Sequence, residues 1–226
     1  MIAAIHQPQY LPWIGYFHKI HKADVFIFLD NVQYKKNEWQ NRNRIKTDSG
    51  WQWLTVPVMF RFPERIFEVR VNNRVNWKRK HMQALVTHYT KSKYFEKYTS
   101  FFKEVYDLNW EYLSPLNIFL IERISEFLGI NTRFITASEM GRFSDDPDLR
   151  LIEICKSVGS SDYLAGEGGR EYMDLEKWEK AGIHVFFQEF RHPSYPQCYE
   201  DFTPNLSIID LLFNCGSESL NIIESS

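Results

Sequence analysis

The chain reads as an α/β fold: a mostly parallel or mixed sheet covered by helices, with a helical insertion in the middle of the chain. Three observations predict it. Two short runs, Met1 to Ile5 and Val25 to Leu29, are apolar without alternation, as strands buried on both faces are. A helical stretch stands between them, which makes a strand–helix–strand unit with an expected right-handed crossover. Further along, short strands again alternate with helices after a long helical segment, the pattern of a layered α/β domain.

The elements follow in order. Pro8 and Pro12 end the first strand in a loop, since neither fits inside a central ladder. Pro12 suits the first turn of a helix running to Ala23, because its missing N–H costs nothing there. After Val25 to Leu29, the turn signal Asp48-Ser49-Gly50 stands between two extended runs, Asn43 to Lys46 and Gln52 to Val58, and predicts a hairpin. Trp51, Trp53 and Thr55 alternate there with Gln52, Leu54 and Val56. Ile66 to Val71 alternates too and is expected to be a strand. Trp77 to Thr90, Tyr94 to Leu108 and Leu116 to Leu128 carry apolar residues at three- and four-residue steps, so residues 76–128 are expected to form a helical subdomain within one domain of residues 1–226. Gly129 marks the exit from the third of these helices. Thr132 to Thr136 is a strand, Pro147 to Val158 a helix ended by Gly159, and Asp162 to Ala165 a strand. Leu175 to Ala181 (helix), Ile183 to Phe190 (strand) and Ser207 to Asn214 (helix) complete the chain.

Composition sets limits. At 226 residues, 44% hydrophobic and 16% aromatic, the chain can bury a substantial core. A net charge of -2 makes it no electrostatic match for nucleic acid. The basic stretch from Arg61 through Arg65, Arg70 and Arg74 to Lys80 is broken by Glu64 and Glu68 and reads as a solvated face. No run is long and apolar enough to span a membrane, and there is no signal-peptide pattern. Cys155, Cys198 and Cys215 are odd in number and widely spaced, as in a reduced, cytoplasmic protein.

The candidate site residues gather after the first two strands. His6 follows the first directly, with Gln7, Gln9 and Tyr10 beside it; an imidazole there can act as a base or hold a phosphate. Asp30, Asn31 and Gln33 follow the second, with Asp30 as a second catalytic candidate. Trp39 offers a flat face for a sugar ring or base, and Arg42 and Arg44 offer planar forks for carboxylate or phosphate. If this stretch is extended, Arg42 and Arg44 face one way and Asn41 and Asn43 the other. Gly15, at a helix start, is a candidate for close approach to an anionic cofactor, and Gly168 and Gly169 are weaker ones. No motif names a cofactor. The bland readings are a histidine satisfied by a loop carbonyl, a simple turn at Asp30-Asn31, and glycines that serve packing or turns. His18 and His21 lack a third ligand, so no metal is expected, and a Cys198–His192 acyl-transfer pair would need the two side chains within hydrogen-bond reach, which nothing in the sequence shows.

Two runs carry a family resemblance: Ile5-His6-Gln7-Pro8-Gln9-Tyr10-Leu11-Pro12-Trp13-Ile14-Gly15-Tyr16 and Phe28-Leu29-Asp30-Asn31-Val32-Gln33-Tyr34. Asn205 to Gly216 extends it. The chain resembles the WbqC-like family, linked to bacterial O-antigen and other surface-polysaccharide clusters. The resemblance implies a transferase moving an acyl or aminoacyl group, glycyl among them, onto an amino sugar. Its partners would be a nucleotide- or lipid-linked sugar and an acyl donor. Two alternatives stand beside it: an ATP-dependent adenylating ligase or nucleotidyltransferase, and a non-catalytic binding protein. The strand, proline loop and Trp13-Ile14-Gly15-Tyr16 also resemble nucleotidylyltransferases of the H-x-G-H type at the level of fold, but Trp13 and Tyr16 replace both histidines.

Overall fold

A computed structural model describes residues 1–226. The strands and helices are β1 (Ile2–His6), α1 (Ile14–His21), β2 (Val25–Phe28), β3 (Arg42–Thr47), β4 (Gly50–Thr55), β5 (Val58–Met59) and β6 (Arg70–Val71). Next come α2 (Trp77–Tyr89), α3 (Phe95–Asp107), α4 (Leu113–Leu128), β7 (Arg133–Thr136), α5 (Pro147–Ser157) and β8 (Asp162–Ala165). The chain closes with α6 (Leu175–Lys180), β9 (His184–Phe187), α7 (Ile208–Cys215) and α8 (Ser219–Glu224).

Five strands form one sheet in the order β7-β2-β1-β8-β9, and every pairing in it is parallel. The expected α/β class holds, with the sheet parallel throughout. Counted along the chain within this sheet, the order is 3-2-1-4-5, that of a doubly wound fold. The order reverses between β1 and β8, so a crevice opens there at the carboxyl edge.

The pleat sends alternate residues to two helical layers. Ala4, Phe26, Phe28 and Leu164 join a cluster of 42 buried residues with α1, α2, α3, α4 and α7. Ala3, Ile5, Val25, Ile27, Tyr163 and Ala165 join a second cluster of 12 with α5 and α6. Tyr163 stacks on Trp178 of α6 at 4.6 Å. The helices of residues 76–128 thus pack into the same core as one face of the sheet.

One expected strand is corrected. Ile66 to Glu68 forms a 3-10 turn, and only Arg70 and Val71 pair, with β5. The Glu68 carboxylate accepts from the Arg65 backbone N–H at 2.7 Å, an N-terminal cap that curls the chain despite its alternating pattern. α4 starts three residues before the expected Leu116, because Pro115 is tolerated in a first turn. α8 and β5 were not anticipated.

Candidate active site at the carboxyl edge of the sheet

β1 ends at His6, beside the point where strand order reverses. The following loop is heavily tied down. Tyr10 N–H donates to the Trp39 carbonyl (3.1 Å), and the Leu11 carbonyl accepts from Asn43 Nδ2 (2.7 Å). The Pro8 carbonyl accepts from Asn117 Nδ2 (3.3 Å). Leu11 has φ +46°, a left-handed conformation that costs a branched residue energy and persists only where surrounding contacts impose it.

This loop and the start of β3 enclose a cavity of about 410 Å³ lined by His6, Gln9, Trp13, Trp39, Arg44 and Asn205. Four residues proposed from sequence, His6, Gln9, Trp39 and Arg44, converge here. His6 Nδ1 donates to the Gln7 carbonyl at 3.1 Å, because a carbonyl can only accept. That fixes the tautomer with Nε2 as the free acceptor, and Nε2 makes no hydrogen bond within the protein. Burial, then the nearby Lys19 ammonium, lowers His6 from 6.5 to about 4, so the imidazole is neutral near pH 7. Tyr16 packs edge-on against it at 4.9 Å and donates its hydroxyl to the Gln7 carbonyl.

Arg44 donates from Nη2 to the Asn205 carbonyl at 3.2 Å, while its Nε has no partner. Its guanidinium lies 5.0 Å from the Trp51 ring and 5.8 Å from Trp39. Arg42 shares that face, 4.3 Å over Trp53, with a hydrogen bond to the Asn37 carbonyl, but does not reach the cavity. Asn41 and Asn43 point the other way and are buried on the Val56 and Leu11 carbonyls. Trp39, Trp51 and Trp53 are 39%, 45% and 37% exposed, and Trp53 contacts both of the others at 5.5 Å, an aromatic platform leading out of the cavity.

Other candidates lie elsewhere. Tyr10 is corrected to a core residue: it is fully buried, bonded to His81 Nδ1 and the Tyr106 hydroxyl, both at 2.9 Å. Gln7 is held by Gln40 Nε2 at 2.6 Å, and Gln33 is exposed beside Arg65. Asp30 is buried, accepting from Ser138 N–H (2.9 Å) and Ser138 Oγ (2.7 Å). Burial raises its carboxyl above the usual range. It lines a separate cavity of about 720 Å³, and Asn31 lines a third of about 580 Å³.

The glycine candidates are also corrected. A Cβ on Gly15 would lie 2.5 Å from the Trp13 indole, so Gly15 makes room for Trp13 and its approach side is filled. Gly169 packs under Met173 and Phe187, and Gly168 is exposed. Neither has positive φ, so the alternation that aims successive N–H groups at an anion is missing. Cys198 bonds Asn214 Oδ1 at 3.5 Å, and His192 uses both ring nitrogens on backbone groups.

Trp13, Trp51 and Trp53 are the residues of this site that sequence reasoning did not single out. The alternation of Trp51 and Trp53 against Leu54 and Val56 was a usable signal, since it puts two indoles on the solvent face of a hairpin. Asn205, at φ +57°, enters through a long loop closed by Ser207 N–H on the Arg44 carbonyl (2.9 Å), a pairing no local pattern announces.

Known proteins offer kinship rather than chemistry. An uncharacterized protein of Mycobacterium tuberculosis (strain ATCC 25618 / H37Rv), Rv1507c, is 36% identical over 220 residues, covering 96% of this chain and 94% of that protein. No solved structure matches the chain. The model of the WbqC-like protein family matches residues 7–222, from the position after His6 through β3 and the Asn205 segment, so the chain belongs to the WbqC-like protein family.

Proposed function

We propose that the chain is a transferase of surface-polysaccharide precursor synthesis that moves an acyl or aminoacyl group onto an amino sugar in the His6 cavity. The observation that carries this reading is the free Nε2 of a tautomer-locked, neutral imidazole at the strand-order reversal, where doubly wound sheets hold their ligands. The Trp13 and Trp39 rings supply walls for a sugar ring, and Gln9 and Asn205 supply polar groups for its hydroxyls. Arg44 faces the acceptor's phosphate or carboxylate. In the transfer step the acceptor amine or hydroxyl attacks the acyl carbonyl. His6 Nε2 takes the proton released, and the donor's leaving group departs with the electron pair of the broken bond. Asp30 lies in another cavity and takes no part in this proton transfer.

The strand order favours one second reading, an adenylating ligase or nucleotidyltransferase, because this topology places nucleotides at the same crevice. Trp13 packed over Gly15 weighs against it. Incubating the protein with acyl donors and nucleotide-linked amino sugars, with mass detection of the product, separates the two. Acyl transfer without pyrophosphate release supports the first reading. Pyrophosphate release from ATP replaces it with the second. The proposed base predicts that His6→Ala lowers turnover by about 100- to 10,000-fold.

A further inference from the structure

A second cleft lies along the same sheet edge, beyond β2 and β7. Its two cavities, of about 720 and 580 Å³, adjoin at Phe67 and Ser138, which line both, and are taken together as one trough. The charges along it are sorted. On one side stand Asp30, Glu68, Glu122 and Glu139; the only guanidinium there, Arg70, is already paired with Glu111 at 3.3 Å. On the other side stand Arg65, Arg142 and Arg150 with a single carboxylate, Asp145.

No ion pair crosses between the two sides. Arg65 and Arg142 make no side-chain hydrogen bond or ion pair at all. Arg150 is fixed by the Ser144 carbonyl on Nε (3.0 Å) and the Asp145 carbonyl on Nη2 (3.1 Å), which leaves Nη1 free. On the acidic side, Glu122 is pushed above its usual range by burial and by the like charges of Glu126 and Glu139. Neighbouring groups of opposite sign would relieve one another if folding alone set the pattern. Held apart, they give the trough an electric field directed along its length, complementary to a ligand with separated charges.

We propose that this trough binds a small zwitterion, with its ammonium among Glu68, Glu122 and Glu139 and its carboxylate or phosphate on Arg65, Arg142 and Arg150. Ser138, which lines both cavities, stands between the two sides and donates to both oxygens of Asp30 on the acidic side. Planar guanidinium forks suit either anion. The site is separate from the His6 cavity, with which it shares no lining residue, and binding in it does not depend on the transfer reading.

Titration calorimetry on the full chain at low ionic strength tests this with four probes: glycine, O-phosphoethanolamine, ethanolamine and inorganic phosphate. Glycine or O-phosphoethanolamine should bind at least about tenfold tighter than both ethanolamine and inorganic phosphate, which carry charge of one sign only, a difference of about 1.4 kcal/mol. Preference for glycine assigns the anion subsite to carboxylate, and preference for O-phosphoethanolamine assigns it to phosphate. Arg142→Gln and Glu139→Gln alter exposed side chains, and each should weaken the preferred zwitterion about tenfold without shifting the melting temperature. His6→Ala should leave this binding intact. The proposal is overturned if neither zwitterion binds, or if phosphate alone binds as tightly as O-phosphoethanolamine. It also fails if His6→Ala abolishes binding that Arg142→Gln leaves untouched.

Discussion

At the scale of single residues, the chemistry turns on the protonation state of His6. Burial and Lys19 hold its imidazole near 4, so it is a largely neutral base from about pH 5 upward. A base with the ordinary histidine value would lose activity between pH 7 and 5.5; His6 should not. The acid limb of a transfer rate profile is therefore expected below about pH 5, and a limb near 6.5 that disappears in His6→Ala would contradict the burial argument. The two arginines divide in the same way. Arg44 lines the cavity with its Nε unpartnered, whereas Arg42 stacks on Trp53 outside it. Arg44→Lys keeps the charge but loses the fork and should raise the acceptor KM about tenfold or more, while Arg42→Lys should change it little. Equal effects from the two substitutions would place the anion on the tryptophan platform instead.

At the scale of elements, the His6 loop and α1 act as one packed unit. Trp13 forms a cavity wall, and it can lie there only because Gly15 has no side chain. Gly15→Ala places a methyl group 2.5 Å from the indole and forces it to move. Overpacking of this kind costs about 1–3 kcal/mol, so the melting temperature should fall, and ligand affinity at the His6 cavity should fall with it. A variant that keeps both would show that Trp13 has room to spare. Much of this scale was legible in the residues. The unbroken apolar runs marked β1 and β2, Asp48-Ser49-Gly50 marked the hairpin, and the Arg42/Asn43/Arg44 alternation placed guanidiniums and amides on opposite faces. What was not legible depended on contacts far apart in the chain. Tyr10 looks like a site residue until His81 and Tyr106 fold over it, 71 and 96 positions away. Ile66 to Val71 alternates like a strand, but the Glu68 cap bends its first half. Asp30 and His6 follow neighbouring strands, yet Ser138 draws Asp30 into a different cavity.

At the scale of the whole molecule, buried titratable groups make stability depend on pH in a defined direction. His6, His18 and His81 are each lowered from 6.5 to about 4, chiefly by burial. Between those values the unfolded chain binds protons that the folded chain refuses, so acidification from pH 7 to 5 should destabilise the fold. Asp210 works the other way. It is completely buried, accepts hydrogen bonds from Tyr89, Tyr195 and Gln197, and is raised from 3.8 to about 6 by loss of solvent. Between about 6 and 3.8 the folded chain holds a proton on Asp210 that the unfolded chain has released, which favours folding as pH falls. Among the groups shifted furthest in this window, three histidines oppose one carboxyl, and each full proton is equivalent to about 1.4 kcal/mol per pH unit. Stability should therefore decline on the acid side, less steeply than the histidines alone would dictate. Asp210→Asn removes the opposing group. Its absolute stability depends on how the amide meets three donors, but its pH dependence does not: the decline between pH 6 and 5 should steepen by up to about one proton's worth. Urea midpoints at pH 7.5, 6 and 5 for the parent and the variant measure it. Parallel curves would mean that Asp210 is ionised throughout that range, held so by Tyr89, Tyr195 and Gln197 against the cost of its burial.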